Sequence, residues 1–374
     1  MTLPAPLNAR QILGAEQIAE VRAALLAWYR AHRRDLPWRR TRDAYRIWIS
    51  EVMLQQTRVA AVLEHYRRFL ERFPNVNALA AATETEVLAL WSGLGYYRRA
   101  RMMHRAAITV AVEHGGRMPE TAEALRKLPG IGNYTSAAIA SIAFGEPVAV
   151  VDGNVERVLA RLAGWSAAEP GFGARVRMLA QVLLDPEAPG DFNQAMMELG
   201  ATVCLPQAPL CLHCPAQPLC GTRGEHAALP RKKMQAREMA CVFRTRGAGG
   251  AREVLLQQRS SAASLMAGMW QLPEFEPATA ANSEIGFAGD AGTERDAALL
   301  LTVKHAITTT NYTVRVYSES ARAESARADG KVDTRVDAAH EGTSCRWFAQ
   351  DELTSVALTG LARKILLRLM PPSA

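Results

Sequence analysis

Cysteine is scarce in this chain, six residues in 374, and aromatic side chains make up only 6% of it. The N-terminal stretch MTLPAPLNARQILGAEQ shows no basic segment running into an apolar one, so no secretory leader is expected. The expected compartment is therefore the cytoplasm, where thiols stay reduced, and a disulfide scaffold is not expected. Long hydrophobic runs are missing as well. The uncharged stretch from Leu128 to Gly145 reaches 18 residues but is broken by Pro129, Gly130, Gly132 and Gly145, so no membrane span is expected. Nor is there a strong bias of charge: 44 Lys and Arg against 37 Asp and Glu leave +7, which permits a nucleic-acid partner without requiring one. What is present, 49% hydrophobic and 22% charged residues, is ordinary for a globular protein and rules out a disordered or collagenous chain. At roughly 150 residues per domain, the length predicts two or three domains.

Up to about residue 235 the pattern is helical. Ile18, Val21, Leu25 and Trp28 share one face of a helix beginning near Glu16. A second helix is expected from Tyr45 to Thr57. A third should run from Val59 to Phe73, with Val62, Leu63, Tyr66, Phe69 and Leu70 as its buried stripe and Pro74 ending it. Thr83 and Glu86 form a capping box ahead of Val87, Leu88 and Trp91. Further helices are expected over Arg98–His114, Thr121–Lys127, Tyr134–Phe144 and Asn154–Leu162, with a tight hairpin at Leu128-Pro129-Gly130-Ile131-Gly132. The basic segment Pro230-Arg231-Lys232-Lys233 reads as a linker. Beyond it, Ala240–Arg244, Val254–Gln258 and Tyr312–Tyr317 read as strands and Leu358–Leu369 as an amphipathic helix, an α+β domain. Stretches around 276–298 and 320–340 are rich in Ala, Gly, Ser and charge and read as loops.

Three patterns carry chemistry. Cys204, Cys211, Cys214 and Cys220 are spaced C-x6-C-x2-C-x5-C, four soft donors within 17 residues, which suits an iron–sulfur cluster or zinc. Zinc sites usually pair two C-x2-C arms, and only one is present. Cys241 and Cys345 are isolated and read as core thiols. In LPGIG at 128–132, glycines would let backbone N–H groups approach a phosphate at the positive end of the following helix. The arginines around it (Arg33, Arg34, Arg39, Arg40, Arg42 and Arg98, Arg99, Arg101, Arg105) read as a solvated face able to neutralise phosphates. Tyr96 and Tyr97 offer rings to stack on bases, or else to pack a helix end. Finally, Glu51 lies in an almost wholly apolar helix, with Ile47 and Leu54 on its own face, where desolvation would raise its pKa. Asp152 precedes a helix, as an N-cap would. Two carboxylates in unlike environments are the pattern used to break glycosidic bonds.

Taken together, LPGIG, VDGNVERV, the cysteine loop and SEVMLQQT resemble the helix–hairpin–helix DNA glycosylases with an iron–sulfur loop. With LPWR at 36–39, WSGLGYYRRAR at 91–101 and FNQAMMELG at 192–200, the likeness is to the A·G-mismatch-specific adenine DNA glycosylases of the MutY type. The fold this implies is a mainly α helix–hairpin–helix glycosylase core with a [4Fe–4S] loop and a C-terminal α+β domain resembling Nudix hydrolases. The domains implied are a helical region 1–229, holding a six-helix part over about 44–150 and an iron–sulfur part built from the N-terminal segment plus about 151–229, then a linker 230–238 and a Nudix-like domain 239–374.

By resemblance, Glu51 is the general acid that protonates the flipped adenine at N7, and Asp152 stabilises the oxocarbenium ion or forms a covalent acetal. Tyr134 and Asn154 support them. Leu36, Trp38 and Arg39 wall the adenine pocket, Gln56 and Tyr96 insert into the duplex, and Gly130 and Gly132 meet the DNA backbone. Cys204, Cys211, Cys214 and Cys220 hold the cluster. The implied partner is duplex DNA with adenine opposite 8-oxoguanine or guanine, bound by a monomer in the nucleoid, with other repair or replication proteins as further partners. Position 134, a Schiff-base Lys in the related lyases, is Tyr here, so a monofunctional hydrolase is expected rather than an endonuclease III-like glycosylase–lyase on oxidised pyrimidines. Retention of Glu51 and Asp152 argues against a non-catalytic iron–sulfur DNA binder. No acidic Nudix box is present, so pyrophosphatase activity is not expected. Ile307-Thr308-Thr309 stands where the family carries Phe-Ser-His, so Thr308 is expected to meet 8-oxoguanine and the preference for it over guanine to be reduced.

Overall fold

The computed structural model describes residues 13–225, 234–247, 252–263, 265–275, 297–307, 309–319 and 344–371; the expected linker core 230–233 and Thr308 lie outside them. Contacts divide the chain into two units, Met1–Ala82 with Met102–Leu229, and Thr83–Arg101 with Pro230–Ala374. The second unit is thus discontinuous in sequence: it takes a segment from the middle of the helical region as well as the C-terminal part.

In chain order the helices are α1 (Ala15–His32), α2 (Ala44–Leu54), α3 (Val59–Arg72), α4 (Val76–Ala80), α5 (Glu84–Trp91), α6 (Arg98–Glu113), α7 (Ala122–Leu125), α8 (Asn133–Phe144), α9 (Gly153–Ala163), α10 (Phe172–Leu183), α11 (Pro189–Thr202) and α12 (Gly360–Leu369). Of these, α5 and α12 belong to the second unit. The expected starts and stops hold to within a few residues. Thr83 and Glu86 form the reciprocal capping box, and Thr121 caps α7 through the Ala124 N–H. Two stripes are rotated from expectation. On α3, Val62, Tyr66 and Phe69 are buried while Leu63 is exposed, and on α1 Tyr29 takes the buried position in place of the half-buried Trp28.

In the first unit α1, α9, α10 and α11 enclose one core, with Val21, Leu25, Leu159, Leu179, Phe192 and Leu199 at its centre. A second layer has α2, buried through Ile47, Trp48, Ile49 and Met53, packed on α8. Small buried residues on α8, among them Ala137, Ala138, Ala140 and Ser141, permit that close approach. Fully burying a side chain such as Ile47, Ile49 or Met53 contributes on the order of 2 kcal/mol. The two layers meet at α11, which packs on both α8 and α9. No helix among the described residues is long and apolar enough to cross a membrane.

In the second unit the strands are β1 (Gln235–Phe243), β2 (Thr245–Arg246), β3 (Glu253–Gln258), β4 (Trp270–Gln271), β5 (Glu274–Phe275), β6 (Ala297–Ile307), β7 (Thr310–Glu319) and β8 (Cys345–Ala349). One sheet runs β5-β1-β7-β6, with β1 and β7 parallel; the other joins β2, β3, β4 and β8. Helix α12 packs its Leu361, Ala362, Ile365 and Leu366 into the core of Val254, Leu256, Val303, Val314 and Val316. The α+β reading holds, with corrections. Strand β1 begins inside the expected linker, because its first residues pair with Thr310–Thr313 of β7. Strand β6 begins within the expected loop 276–298. Cys241 is a core thiol as expected, whereas Cys345 is only half-buried, at the start of β8.

Candidate active site

A cleft of about 810 Å³ in the first unit gathers Leu36, Trp38, Arg39, Glu51, Gln56, Gly130, Gly132, Tyr134, Asp152 and Asn154. Ten of the expected non-cysteine site residues therefore line one cavity. Of the other two, Tyr96 belongs to the second unit, and Thr308 lies outside the described residues.

Glu51 projects from α2, the helix that is buried nearly all round, and is only 6% exposed. Burial pushes its carboxyl up to about 7, and the nearby charge of Asp152 adds to the rise. A hydrogen bond from the Tyr134 hydroxyl to Oε2, 2.5 Å long, and the guanidinium of Arg39 pull the other way. Tyr134 is on the second residue of α8, directly after the hairpin. Its phenol is raised well above the usual range by burial and by Glu51, so at neutral pH it keeps its proton and can donate it in a hydrogen bond. Met197 Sδ lies 3.3 Å from the same hydroxyl.

Asp152 is the N-cap of α9. Its Oδ1 accepts the Val155 N–H at 2.7 Å, and its Oδ2 faces the Asn154 amide at 3.4 Å. The cap fixes the side chain and places its charge at the positive end of the helix, an arrangement that contributes about 1 kcal/mol to stability. The preceding strand-like segment is held by Asn193 of α11, which accepts from the Val150 N–H and donates to Val148 O and Ser141 Oγ. Asn154 is held in turn by Arg157, whose guanidinium donates to Asn154 Oδ1, Gly200 O and Cys204 O. A Cβ at Gly200 would come within 2.7 Å of Asn154 Cβ, so only glycine admits this approach of α11 to α9.

The hairpin sits at one edge of the cleft. Gly130 has φ +76°, and a Cβ there would meet Met102 Cβ at 2.6 Å, two independent reasons for glycine. Gly132 is the N-cap of α8 and faces open space, leaving the helix's free N–H groups reachable by an anion.

Glu198 was not among the residues singled out from the sequence. Its side chain is 1% exposed, on α11. It accepts from Arg34 through the backbone N–H (3.0 Å), Nε (2.9 Å) and Nη2 (2.6 Å), and from Arg39 Nη2 (2.7 Å). Burial alone would raise its pKa; the two arginines outweigh that and hold it at about 2. Arg34 and Arg39 are therefore not part of a loose solvated face but are oriented at the cleft wall. The available signal was weak: an acid between Met197 and Leu199 in the second half of α11, with nothing local to name its partners. Tyr97, grouped with Tyr96 from the sequence, is 4% exposed and packs internally, whereas Tyr96 is 49% exposed.

Cys204, Cys211, Cys214 and Cys220 surround a separate small cavity with Arg161. Burial, then the three neighbouring thiols, push the Cys214 thiol up to about 11. Arg161 Nη1 reaches Cys204 Sγ at 3.4 Å, and the Arg223 N–H reaches Cys220 Sγ at 3.5 Å. N–H donors aimed at sulfur and four thiols facing one void suit a thiolate-ligated metal group. Among the described residues, no group of three His, Cys, Asp or Glu is arranged to hold a single metal ion.

Comparison with known proteins agrees with this geometry. Residues 49–171 match the model of the HhH-GPD superfamily of base excision DNA repair proteins, and residues 241–368 match the NUDIX domain. The adenine DNA glycosylase of Mus musculus is 42% identical over 312 residues, 68% of this chain and 60% of that protein. That of Mycobacterium tuberculosis is 41% identical over 232 residues, 61% of this chain and 74% of that protein. Among solved structures, a thermostable thymine-DNA glycosylase superposes with a TM-score of 0.52 at 31% identity, covering 56% of this chain and 97% of its own. The chain spans only about 60% of the length of the mammalian relatives it matches. With three quarters of the mycobacterial protein covered at this identity, and with a helix–hairpin–helix core followed by a Nudix-like domain, the chain belongs to the adenine DNA glycosylase family.

Proposed function

We propose that this protein removes adenine mispaired with 8-oxoguanine or guanine from duplex DNA by hydrolysing its N-glycosidic bond, leaving an abasic site. The observation that carries this reading is the Tyr134–Glu51 hydrogen bond: a buried carboxyl held near pKa 7 and facing a cleft that also contains Asp152.

The cleft volume suits a base turned out of the stack, which the chemistry requires because the glycosidic bond is unreachable in a duplex. Leu36 and Trp38 supply apolar walls, while Arg39, fixed by Glu198, supplies donors. Glu51, about half protonated at neutral pH, delivers its proton to adenine N7, which makes the base a better leaving group. Tyr134 holds Oε2 so that the other oxygen faces the base. As the bond stretches, positive charge develops on the deoxyribose. Asp152, fixed by the Val155 N–H and Asn154, is the group that meets it, by charge or by a transient acetal that water then opens. Gly130, Gly132 and the N-terminus of α8 take a backbone phosphate, and Gln56 and Tyr96 fill the space left in the stack. A phenol at position 134 forms no imine, so the enzyme is a monofunctional glycosylase.

The four cysteines would hold a [4Fe–4S] cluster. That group, when bound, would supply rigidity, and positive charge balancing four thiolates, to the loop whose Cys204 carbonyl Arg157 bonds. The N–H donors to Cys204 and Cys220 support this assignment.

The direct test is incubation with duplexes identical except for the base opposite adenine, followed by alkaline strand cleavage. Cleavage at adenine opposite 8-oxoguanine and guanine, but not opposite thymine, is the expected result. Efficient borohydride trapping of protein on DNA would point instead to a lyase.

A further inference from the structure

The segment Thr83–Arg101 is part of the same compact unit as the C-terminal domain, and specific hydrogen bonds join the two. The hydroxyls of Ser92 and Tyr97 both donate to one acceptor, the carbonyl of Leu358, at 3.1 and 2.9 Å. Arg363 Nε donates to Ser92 Oγ at 2.8 Å. Ser92, Tyr97 and Leu358 are all nearly inaccessible, at 2%, 4% and 3% exposure. Arg101 adds a hydrogen bond to the carbonyl of Ala267.

Between the two anchored residues lies Gly93-Leu94-Gly95-Tyr96. Gly93, Gly95 and Tyr96 all have positive φ, at 110°, 70° and 48°. For a tyrosine this is an uncommon conformation, kept only where the surroundings impose it. Its ring is the exposed one, with the Arg99 guanidinium 5.4 Å from its centroid. The loop is tied inside by Trp91 Nε1 to Gly95 O at 3.0 Å, but its two ends are held by the C-terminal domain.

The anchor itself is rigid. Leu358 bridges to Trp270, and the Thr359 N–H donates to Trp270 O. Thr359 caps α12 through the Ala362 N–H. On the second turn of α12, Lys364 Nζ donates to Lys304 O of β6 at 2.9 Å, and the His305 ring lies against Gly360 on the first.

We propose that the Leu358–Arg363 turn of the C-terminal domain is a positioning element for the Tyr96 ring, so that the insertion of that ring into DNA is set by this domain rather than by the helical core. Leu358 and Arg363 touch no substrate; they act through Ser92 and Tyr97. Lys364, next to this turn, bonds the Lys304 carbonyl of β6, so the anchor of Tyr96 is tied to the sheet as well. The inference rests on the reading of the protein as an adenine glycosylase whose Tyr96 enters the duplex.

The test is a double-mutant cycle on the full-length protein, with adenine release from an A·8-oxoguanine duplex measured under single-turnover conditions. Tyr97→Phe keeps the packed ring and removes the donor to Leu358, and it should slow release by about 3- to 10-fold, the worth of one buried hydrogen bond. In a Tyr96→Ala background the same substitution should have almost no further effect. An equal slowing in both backgrounds would overturn the proposal. Arg363→Met serves as a second probe should Tyr97→Phe fail to give a wild-type melting transition; no slowing by either substitution also sinks it. Hydrogen exchange at the amides of residues 93–97, without DNA, separates this claim from the functional reading. If wild-type protein releases no adenine, the glycosylase reading fails, and exchange still decides the anchor: faster in Tyr97→Phe supports it, unchanged refutes it.

Discussion

The Tyr134 hydroxyl donates to Glu51 over 2.5 Å, and it opposes the effect of burial on the carboxyl to which it is bound. A hydrogen bond to a carboxylate favours its ionised form. Removing the hydroxyl with Tyr134→Phe should therefore move the pKa of Glu51 upward from about 7. The alkaline limb of the single-turnover pH profile should shift to higher pH by the same amount. An unchanged limb would mean that Glu51 is not the acid whose ionisation limits the rate.

Glu51 itself should govern that limb. The acid must be protonated to act, so the wild-type rate should fall about tenfold per pH unit well above pH 7. Glu51→Gln should lose at least about 100-fold in adenine release while still binding mismatched DNA, as seen in a mobility-shift titration. A variant that bound and excised normally would leave the site without its central residue.

The same carboxyl bears on stability. Its folded pKa lies above the unfolded value, so the native state binds more protons than the unfolded state between about 4.5 and 7. Stability from this group is present below that window and lost as pH rises through it. Glu51→Gln should thus raise the melting temperature at pH 8 and change it little at pH 5, measured by thermal denaturation.

Glu198 carries the opposite sign. Held at about 2 by Arg34 and Arg39, it stabilises the fold above its unfolded value near 4.5, and that stability is lost as pH falls toward 2. Glu198→Ala strands two arginines, Arg39 being only 10% exposed, and should cost about 3–5 kcal/mol in denaturant unfolding. A cost below about 1 kcal/mol would show the pair to be no more than a surface contact.

Cys214→Ser should abolish bound iron and sulfide and the visible absorbance of the purified protein, and Arg157→Met should lower both the iron content and adenine release. Arg157 bonds both Asn154 at the cleft and the carbonyl of Cys204, one of the four proposed ligands. Zinc in place of iron by elemental analysis would refute the cluster assignment.

Most of the helical core was legible because caps and periodicity agree there: Thr83 with Glu86, Thr121, and Asp152 each sit where the chain must stop being extended and begin to coil. The burial of Glu51 was legible for a related reason, an acid with apolar neighbours on every face of its helix. Glu198 was not, since its meaning depends on Arg34 and Arg39, about 160 positions away in sequence. Strand β6 was obscured because AALLLTVKHAI does not alternate at its start, where Leu299 and Leu300 are exposed and the pairing with β7 is irregular. Tyr97 could not be told from Tyr96 by local pattern, because what separates them is a carbonyl at Leu358.

The interleaving of Thr83–Arg101 with the C-terminal unit makes the protein less modular than its linear map suggests. A truncation after residue 229 would cut cleanly between two sequence domains and yet break up one spatial unit. It would strand Ser92 and Tyr97, two hydroxyls buried in the intact unit, without their acceptor. A fragment made that way is not the first unit with an independent part removed. It is a fragment with a damaged loop, and a change in its behaviour cannot be credited to the missing residues 230–374 alone.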